Sequence, residues 1–436
     1  MDISTPALAS MLVLVAIVLF SCFRDINVGI LGVAGALIVG MVFSGMKVSA
    51  VYKGWPLNLF MILVGVTFMF SCAQVNGTMS KFSAVCVRLA KGNVALIPII
   101  LFVLTTFIVT IGPGNIAGTA LLAPMCMAIA GRIGLSPFCM TLLVVGAANG
   151  AAFSPFAPTG LISNGIIAKI APDIGIPNDM LSGIGWKVHW YSEIIQGVIN
   201  FGGFFLTGGA AWMMKAKNAA SFDINEIAPK PEPFTWKQSY TLLSILVLVV
   251  AVIFFKLDVG AVAFVIGTTY IVLDIADDGA AVKAMPWGVI TMVCGMSVLI
   301  DVMDKAGGLN ALIDMIAVVS NGTTVTGVCA TISGIISAYS SSSGVVMPMF
   351  LNMVPGILEA VGTKGDLNAA LALISSINIG SHLVDTSPLS TLGALCIANA
   401  QTENKGVLFR NLLFWGLSMS IVGGIFCYIA FGLLGL

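Results

Sequence analysis

Asn149-Gly150-Ala151-Ala152-Phe153-Ser154-Pro155-Phe156-Ala157-Pro158-Thr159-Gly160 interrupts an apolar run, and about 230 residues later Asn378-Ile379-Gly380-Ser381-His382-Leu383-Val384-Asp385-Thr386-Ser387-Pro388 interrupts another. The chain around them repeats at the same offset. Asn27-Val28-Gly29 returns as Asp258-Val259-Gly260, Pro56 as Pro286, Gly65 as Gly295 and Gly77 as Gly307. The cluster Gly112-Pro113-Gly114-Asn115 has its counterpart in Ser340-Ser341-Ser342-Ser343-Gly344. A duplicated apolar chain with helices broken at corresponding points is the pattern of a secondary transporter whose site lies where the repeats meet.

Composition agrees with that reading. Hydrophobic residues make up 58%, charged residues 9%, and mean hydropathy is +1.06, whereas soluble domains carry about 25% charge. The chain reads as an all-α integral membrane protein in contact with the lipid bilayer. Its 19 basic residues balance 19 acidic ones, so no basic field points to nucleic acid. The cysteines at 22, 72, 86, 126, 139, 294, 329, 396 and 427 form no CxxC pair and read as small apolar packing residues. Met1-Asp2-Ile3-Ser4 has no basic region ahead of its apolar run, so that run reads as an uncleaved first span.

Runs able to cross a hydrocarbon layer of ~30 Å fall at about 7–23, 27–45, 56–75, 137–169 and 190–214. They recur at about 239–256, 259–274, 286–303, 367–400 and 407–434. Five crossings per half is an odd number, so the halves insert in opposite orientations as inverted-topology repeats. Between the third and fourth crossings each half adds an amphipathic piece and two apolar arms meeting at a polar tip, 94–111 with 119–131 and 322–338 with 344–360. An arm of 13 residues reaches only ~20 Å, which predicts a re-entrant hairpin. In the first amphipathic piece Lys81, Arg88 and Lys91 oppose Met79, Phe82 and Leu89, the pattern of a helix lying along the membrane surface. Twelve basic residues (Arg24, Lys81, Arg88, Lys91, Arg132, Lys215, Lys217, Lys230, Lys237, Lys283, Lys405, Arg410) fall on one side and seven on the other. The richer side is expected to be cytoplasmic, with both termini outside a bacterial inner membrane. The Pro-containing segment 215–238 is the linker between repeats 1–214 and 239–436.

At the first tip Gly112, Pro113, Gly114 and Gly118 break a helix at membrane depth, where freed backbone must line a cavity or be covered. Asn115 and Thr119 then offer side-chain ligands, and the new helix offers a positively polarised N-terminus. The second tip offers Ser337, Tyr339 and four serines. Unwound carbonyls at the two breaks suit Na⁺. His382 and Asp385 are the acid and imidazole expected near the midplane, where an ionisable group costs at least ~2.5 kcal/mol and is a functional candidate. His189, beside Trp190, is expected on an outer loop at the interface, and Asp258, Asp274, Asp301 and Asp304 at span ends.

The order of surface helix, hairpin, broken helix and final span, twice and inverted, resembles the divalent anion:sodium symporter family of the ion transporter superfamily. Within it the chain is similar to the malonate/dicarboxylate carrier (MatC-type) branch. That family carries a Ser-Asn-Thr signature at each tip, with a proline nine residues after the asparagine. Asn115 and Pro124 keep the spacing, with Gly114 and Ile116 in place of Ser and Thr. At the second tip Tyr339 stands nine residues before Pro348, and Ser340 to Ser343 replace the signature. The Gly-Thr-Pro-Pro-Asn-like break is echoed by Ala157-Pro158-Thr159-Gly160 and Thr386-Ser387-Pro388.

The resemblance implies a homodimer working by an elevator mechanism. Residues 1–93 and 239–321 would form the scaffold, and 94–214 and 322–436 the moving transport part. Substrate would lie between the tips, touching Gly114, Asn115, Thr119, Pro158, Thr159, Ser341, Ser342, Ser343, Thr386, Ser387 and Pro388. Na⁺ would sit between tip and break, at Asn115, Gly150 and Ser154 in the first half and at Tyr339, Ser340, Asn378 and Asp385 in the second.

Electrostatics argues for coupling independently of the resemblance. No Lys or Arg falls in the tips or breaks, so an anion must be held by hydroxyls, amides and helix ends worth roughly 0.3–1 kcal/mol each. A cation about 5 Å away adds ~3 kcal/mol at an effective dielectric of ~20, and the two strengthen each other's binding reciprocally. The expected function is Na⁺-coupled uptake of a small dicarboxylate such as malonate or succinate, with Na⁺ as coupling ion and no organic cofactor. An H⁺ symporter using Asp385 or His382 is the nearest rival. A cation/proton antiporter would need more buried acids than the one expected here. No nucleophile, metal cluster or nucleotide loop marks an enzyme.

Overall fold

The computed structural model describes residues 4–23, 26–88, 93–217 and 231–436. Arg24, Leu89, Lys91, Lys230 and most of the linker lie outside them. Among the described residues there is no strand, and eight helical stretches are long and apolar enough to cross a membrane.

The first half runs α1 (Thr5–Phe23), α2 (Val28–Ile38), α3 (Val48–Tyr52), α4 (Leu57–Val75), α5 (Thr78–Val87), α6 (Ile97–Thr110), α7 (Gly114–Arg132), α8 (Pro137–Ala151), α9 (Pro158–Ile170), α10 (Leu181–Phe204) and α11 (Ala210–Lys217). The second runs α12 (Trp236–Phe255), α13 (Val259–Val272), α14 (Asp278–Ala284), α15 (Trp287–Lys305), α16 (Gly308–Val318), α17 (Val325–Ser337), α18 (Met347–Ala360), α19 (Leu367–Leu383), α20 (Thr391–Asn399) and α21 (Lys405–Cys427). From α2 to α10 and from α13 to α21 the element order is the same. Local signals recur with it. Asn27 accepts from the Gly29 amide to start α2, and Asp258 from the Ala261 amide to start α13. Gly77 and Gly307 turn into α5 and α16 with φ of 77° and 82°, a left-handed conformation that a Cβ penalises.

The halves interlock through close backbone contacts. A Cβ on Gly29 would lie 2.3 Å from the Thr291 carbonyl oxygen, and one on Gly295 would lie 2.1 Å from that of Gly29. At the corresponding places a Cβ on Gly65 would lie 2.4 Å from the Gly260 carbonyl oxygen, and one on Gly260 2.6 Å from Ile62 Cα. Small residues allow membrane helices this approach, so α2 packs on α15 and α13 on α4. At one end of the bundle Lys81 Nζ donates to the Pro233 carbonyl and to Gln238, and Lys237 pairs with Asp274. Residues expected on the basic-rich side are thereby brought together. Met79 is buried and Phe82 meets the Phe107 ring, so the apolar face of α5 packs onto the protein.

Two expectations change. The second arm begins at Gly114, not at 119, making α7 19 residues long, ~28 Å at 1.5 Å per residue. The turn is absorbed by Gly112 and Gly114, with φ of 147° and 79°, so Asn115 to Gly118 are free to be helical. At that length α7 is no longer too short to cross, although the tip still ends beside the α8–α9 break, where Asn115 bonds Asn149. His189 is not on a loop. It lies within α10, 1% exposed, with its ring between those of Trp186 and Trp190.

Candidate functional site

The breaks fall where proline and the small polar runs predict. α8 ends at Ala151 and α9 starts at Pro158, while α19 ends at Leu383 and α20 starts at Thr391. Pro158 at the first helical position loses no hydrogen bond there. Asn149, Ser154, Thr159, Asn378, Ser381, His382, Asp385, Thr386 and Ser387 are all at most 5% exposed, and buried polar groups of this kind are normally hydrogen-bonded.

One continuous network joins both tips and both breaks. Asn115 Nδ2 donates to Asn149 Oδ1 at 3.0 Å, linking the first tip to the first break. Asn149 Nδ2 donates to the His382 carbonyl at 2.9 Å, linking the breaks to each other. Ser343 Oγ lies 3.2 Å from Thr159 Oγ1 and 2.8 Å from His382 Nε2, so the second tip touches both breaks. Ser342 Oγ donates to Asp385 Oδ1 at 2.7 Å, and Ser337 Oγ to the Ser381 carbonyl. His382 Nδ1 lies 3.0 Å from the Asn378 carbonyl, an acceptor only, and 2.9 Å from the Ser381 hydroxyl, an arrangement that favours the tautomer with the proton on Nδ1. Nε2 of the neutral ring then accepts from Ser343, and protonation of the ring would force that hydroxyl to reverse. Phe153 covers the imidazole edge-on, 4.8 Å between centroids.

A cavity of about 270 Å³ opens beside this network. It is small beside ligand pockets of ~300–1,000 Å³, which suits a small solute. Gly114, Asn115, Pro158, Thr159 and Ser343 line it from the tips and first break, with Thr67 and Gln74 of α4 and Pro286 opposite. No charged side chain is among its lining residues.

Other candidates lie elsewhere. Thr119 is fully buried behind the tip with Oγ1 unpaired. Ser154 Oγ donates to the Thr110 carbonyl at 2.6 Å and accepts from the Phe156 amide, fastening the first break to α6. Ser341 accepts from the Gly344 amide and caps the wide helical turn at Ser342–Val346. Ser340 Oγ and Asn378 Oδ1 are buried and unpaired, while Asn378 Nδ2 donates to Ser163 at 3.0 Å. Thr386 and Ser387 are buried, and a Cβ on Gly416 would strike Ser387. Pro388, also buried, closes the same second break. Two expected cation ligands do not turn a side-chain position toward this network. Tyr339 is 56% exposed, and Gly150 faces α10, where a Cβ would lie 2.6 Å from Glu193 Oε2.

Glu193 is the group that the sequence reading missed. It accepts from Thr106 Oγ1 at 2.9 Å, and its Oε2 is buried without a partner. The available signal was an acid four residues after His189 inside an apolar run.

Residues 4–152 match the family model of the dicarboxylate carrier protein MatC N-terminus. The matched region covers α1 to α8, and so includes the first tip and the start of the first break. Among solved structures the chain is similar to the YdaH transporter of Alcanivorax borkumensis, at 15% identity. The likeness covers 90% of this chain and 89% of that one with a TM-score of 0.57, which is a likeness of fold. No curated protein matches the chain. Both matches are to carriers and not to enzymes, and the chain is a multi-pass membrane protein of transporter fold.

Proposed function

We propose that the protein is a secondary transporter that takes up a small dicarboxylate, of malonate or succinate size, together with Na⁺. The observation that carries this reading is the uncharged cavity against the joined tips and breaks. A dianion placed there meets Asn115, Thr159, Ser343 and the N-terminus of α7 but no Lys or Arg side chain. These groups supply too little to desolvate two carboxylates, so a cation must enter with the substrate. The match of the first third to a dicarboxylate carrier model supports the substrate class, and the resemblance to divalent anion:sodium symporters supports the ion. Asn115 and Thr159 would touch substrate or cation directly. Ser154 fastens the break that shapes the first cation site.

The elevator reading draws support from where contacts fall. Residues 1–93 and 239–321 interlock through the glycine contacts of α2, α4, α13 and α15. The transport parts interlock through Asn149 with His382, Asn378 with Ser163 and Thr159 with Ser343. The cavity is lined from both groups, by Thr67, Gln74 and Pro286 of the proposed scaffold and by the tips of the proposed transport part, which supports the reading. A homodimer through the scaffold, opposed orientation of the repeats and termini outside a bacterial inner membrane complete the proposal.

Proton coupling at Asp385 or His382 is the second reading, favoured by their direct bonds to the second tip through Ser342 and Ser343. An antiporter finds less support. Glu193 does supply a second buried acid, but its carboxylate bonds Thr106 of α6 while Asp385 bonds Ser342, so the two acids serve different clusters. Thermal stability of the purified protein against mono-, di- and tricarboxylates, with Na⁺ or choline as the cation, tests the assignment. Stabilisation by a dicarboxylate only in Na⁺ is expected. Equal stabilisation in choline would move coupling to the proton, and none by any acid would remove the substrate class.

A further inference from the structure

α10 carries a polar stripe that the tip site does not use. His189, Ser192, Glu193, Gln196 and Asn200 occupy one face of a helix within a stretch long and apolar enough to cross the membrane. From His189 to Asn200 they cover ~16 Å at 1.5 Å per residue. All but Glu193 are at most 1% exposed, and four of them present a buried polar atom without a partner: His189 Nδ1, Glu193 Oε2, Gln196 Oε1 and Asn200 Oδ1. The facing helix makes room for them. A Cβ on Gly146 would lie 2.5 Å from Asn200 Cγ, and one on Gly150 2.6 Å from Glu193 Oε2. The stripe leads from Trp186, which packs on His189 and lines a cavity of about 440 Å³, toward Thr207 and Trp415, which line another of about 420 Å³.

We propose that Glu193 is a proton-binding site within the membrane, filled and emptied along the α10 stripe and distinct from the tip cavity. A lone carboxylate in hydrocarbon must find a counter-ion or take a proton. Its neighbours offer no counter-ion. α6 contributes the Thr106 hydroxyl and has no titratable residue, and α8, whose one titratable group is Cys139, contributes Gly150. On α10 the titratable groups nearest to it are Tyr191, whose ring packs on Phe431, and His189, one turn away, while Lys187 is exposed. α9, which packs on α10, carries Lys169 in its last turn, and that ammonium donates to Asn352. α19 also packs on α10, but the His382 imidazole is engaged with Ser343 and Asn378. One free carboxylate oxygen and one hydroxyl are too few ligands for a metal cation, and sufficient for a proton. The transfer is simple: Oε2 takes a proton from hydronium on one side, leaving water, and later gives it to water on the other side, which becomes hydronium. Gln196 and Asn200 offer acceptors along the way.

The inference rests on α10 crossing the membrane and not on the identity of the substrate. Infrared difference spectra of the purified protein between acidic and alkaline pH test it without any substrate. A protonated-carboxyl stretch is expected in the wild type, lost in Glu193→Gln and present, shifted, in Glu193→Asp. In proteoliposomes under an imposed pH gradient, Glu193→Gln should slow proton movement several-fold. Gln196→Leu removes an unpaired buried acceptor together with the 3.2 Å bond from Gln196 Nε2 to Ser192 Oγ, and should slow proton movement several-fold while Glu193 keeps its infrared band. A wild-type spectrum that Glu193→Gln leaves unchanged would overturn the proposal, as would unaltered proton movement in both variants. If no dicarboxylate is moved but the Glu193 band is seen, the substrate reading falls and the proton site stands.

Discussion

Asn115 and Asp385 carry the sharpest expectations. Asn115 links the first tip to the first break through its bond to Asn149, and it also lines the cavity. Replacing it by alanine removes one interhelical hydrogen bond, worth about 0.6 kcal/mol on average within membranes, while Asn149 keeps its bond to the His382 carbonyl. Asn115→Ala should therefore be produced and inserted normally yet lose most transport, and wild-type uptake by this variant would sink the tip assignment. Asp385 separates the ion readings. Its Oδ1 accepts from Ser342, a bond that asparagine can replace with its amide oxygen. Under Na⁺ coupling, Asp385→Asn should weaken the dependence on Na⁺ while the pH profile of uptake keeps its shape. Loss of uptake in Asp385→Asn with retention in Asp385→Glu, at fixed Na⁺, would instead assign the proton to this residue.

At the scale of elements, what was legible in the sequence followed local rules. Apolar length placed α1, α2, α4 and the counterparts of these and of α10 within a few residues, because a membrane span is decided by composition over about 20 positions, whereas α10 itself starts at Leu181, nine residues before the expected 190. Pro158 and the Asn149 and Asn378 clusters placed both breaks, because proline and glycine act on their own backbone. The start of α7 was misplaced, since the left-handed turn at Gly112 and Gly114 frees Asn115 for a helix and periodicity does not record it. Side-chain partnerships were not legible either. That Gly150 faces Glu193, that Tyr339 points outward and that His189 is enclosed by two indoles depends on how α8, α10 and the second tip are rotated. The glycine repeat did carry packing information. A methyl group on Gly295 would meet the Gly29 carbonyl at 2.1 Å, where backbone cannot yield locally, and overpacking of this kind costs about 1–3 kcal/mol. Gly295→Ala should lower the melting temperature of the purified protein, whereas Gly406→Ala, with open space around it, should not, and equal stability of the two would refute the interlock.

Over the whole molecule, helices from both halves of the chain line a small uncharged cavity, with residues of the proposed scaffold set and of the proposed transport set among its lining. If one set carries the cavity past the other, the substrate is never paired with a protein cation and travels only when its own cation travels too. That coupling is the central claim, and it has a direct measurement: uptake of labelled malonate and succinate into proteoliposomes of the purified protein, at constant pH, with external Na⁺ replaced by choline. Uptake that needs Na⁺ and rises with an inward Na⁺ gradient is the predicted result; uptake at the same rate in choline would contradict the account.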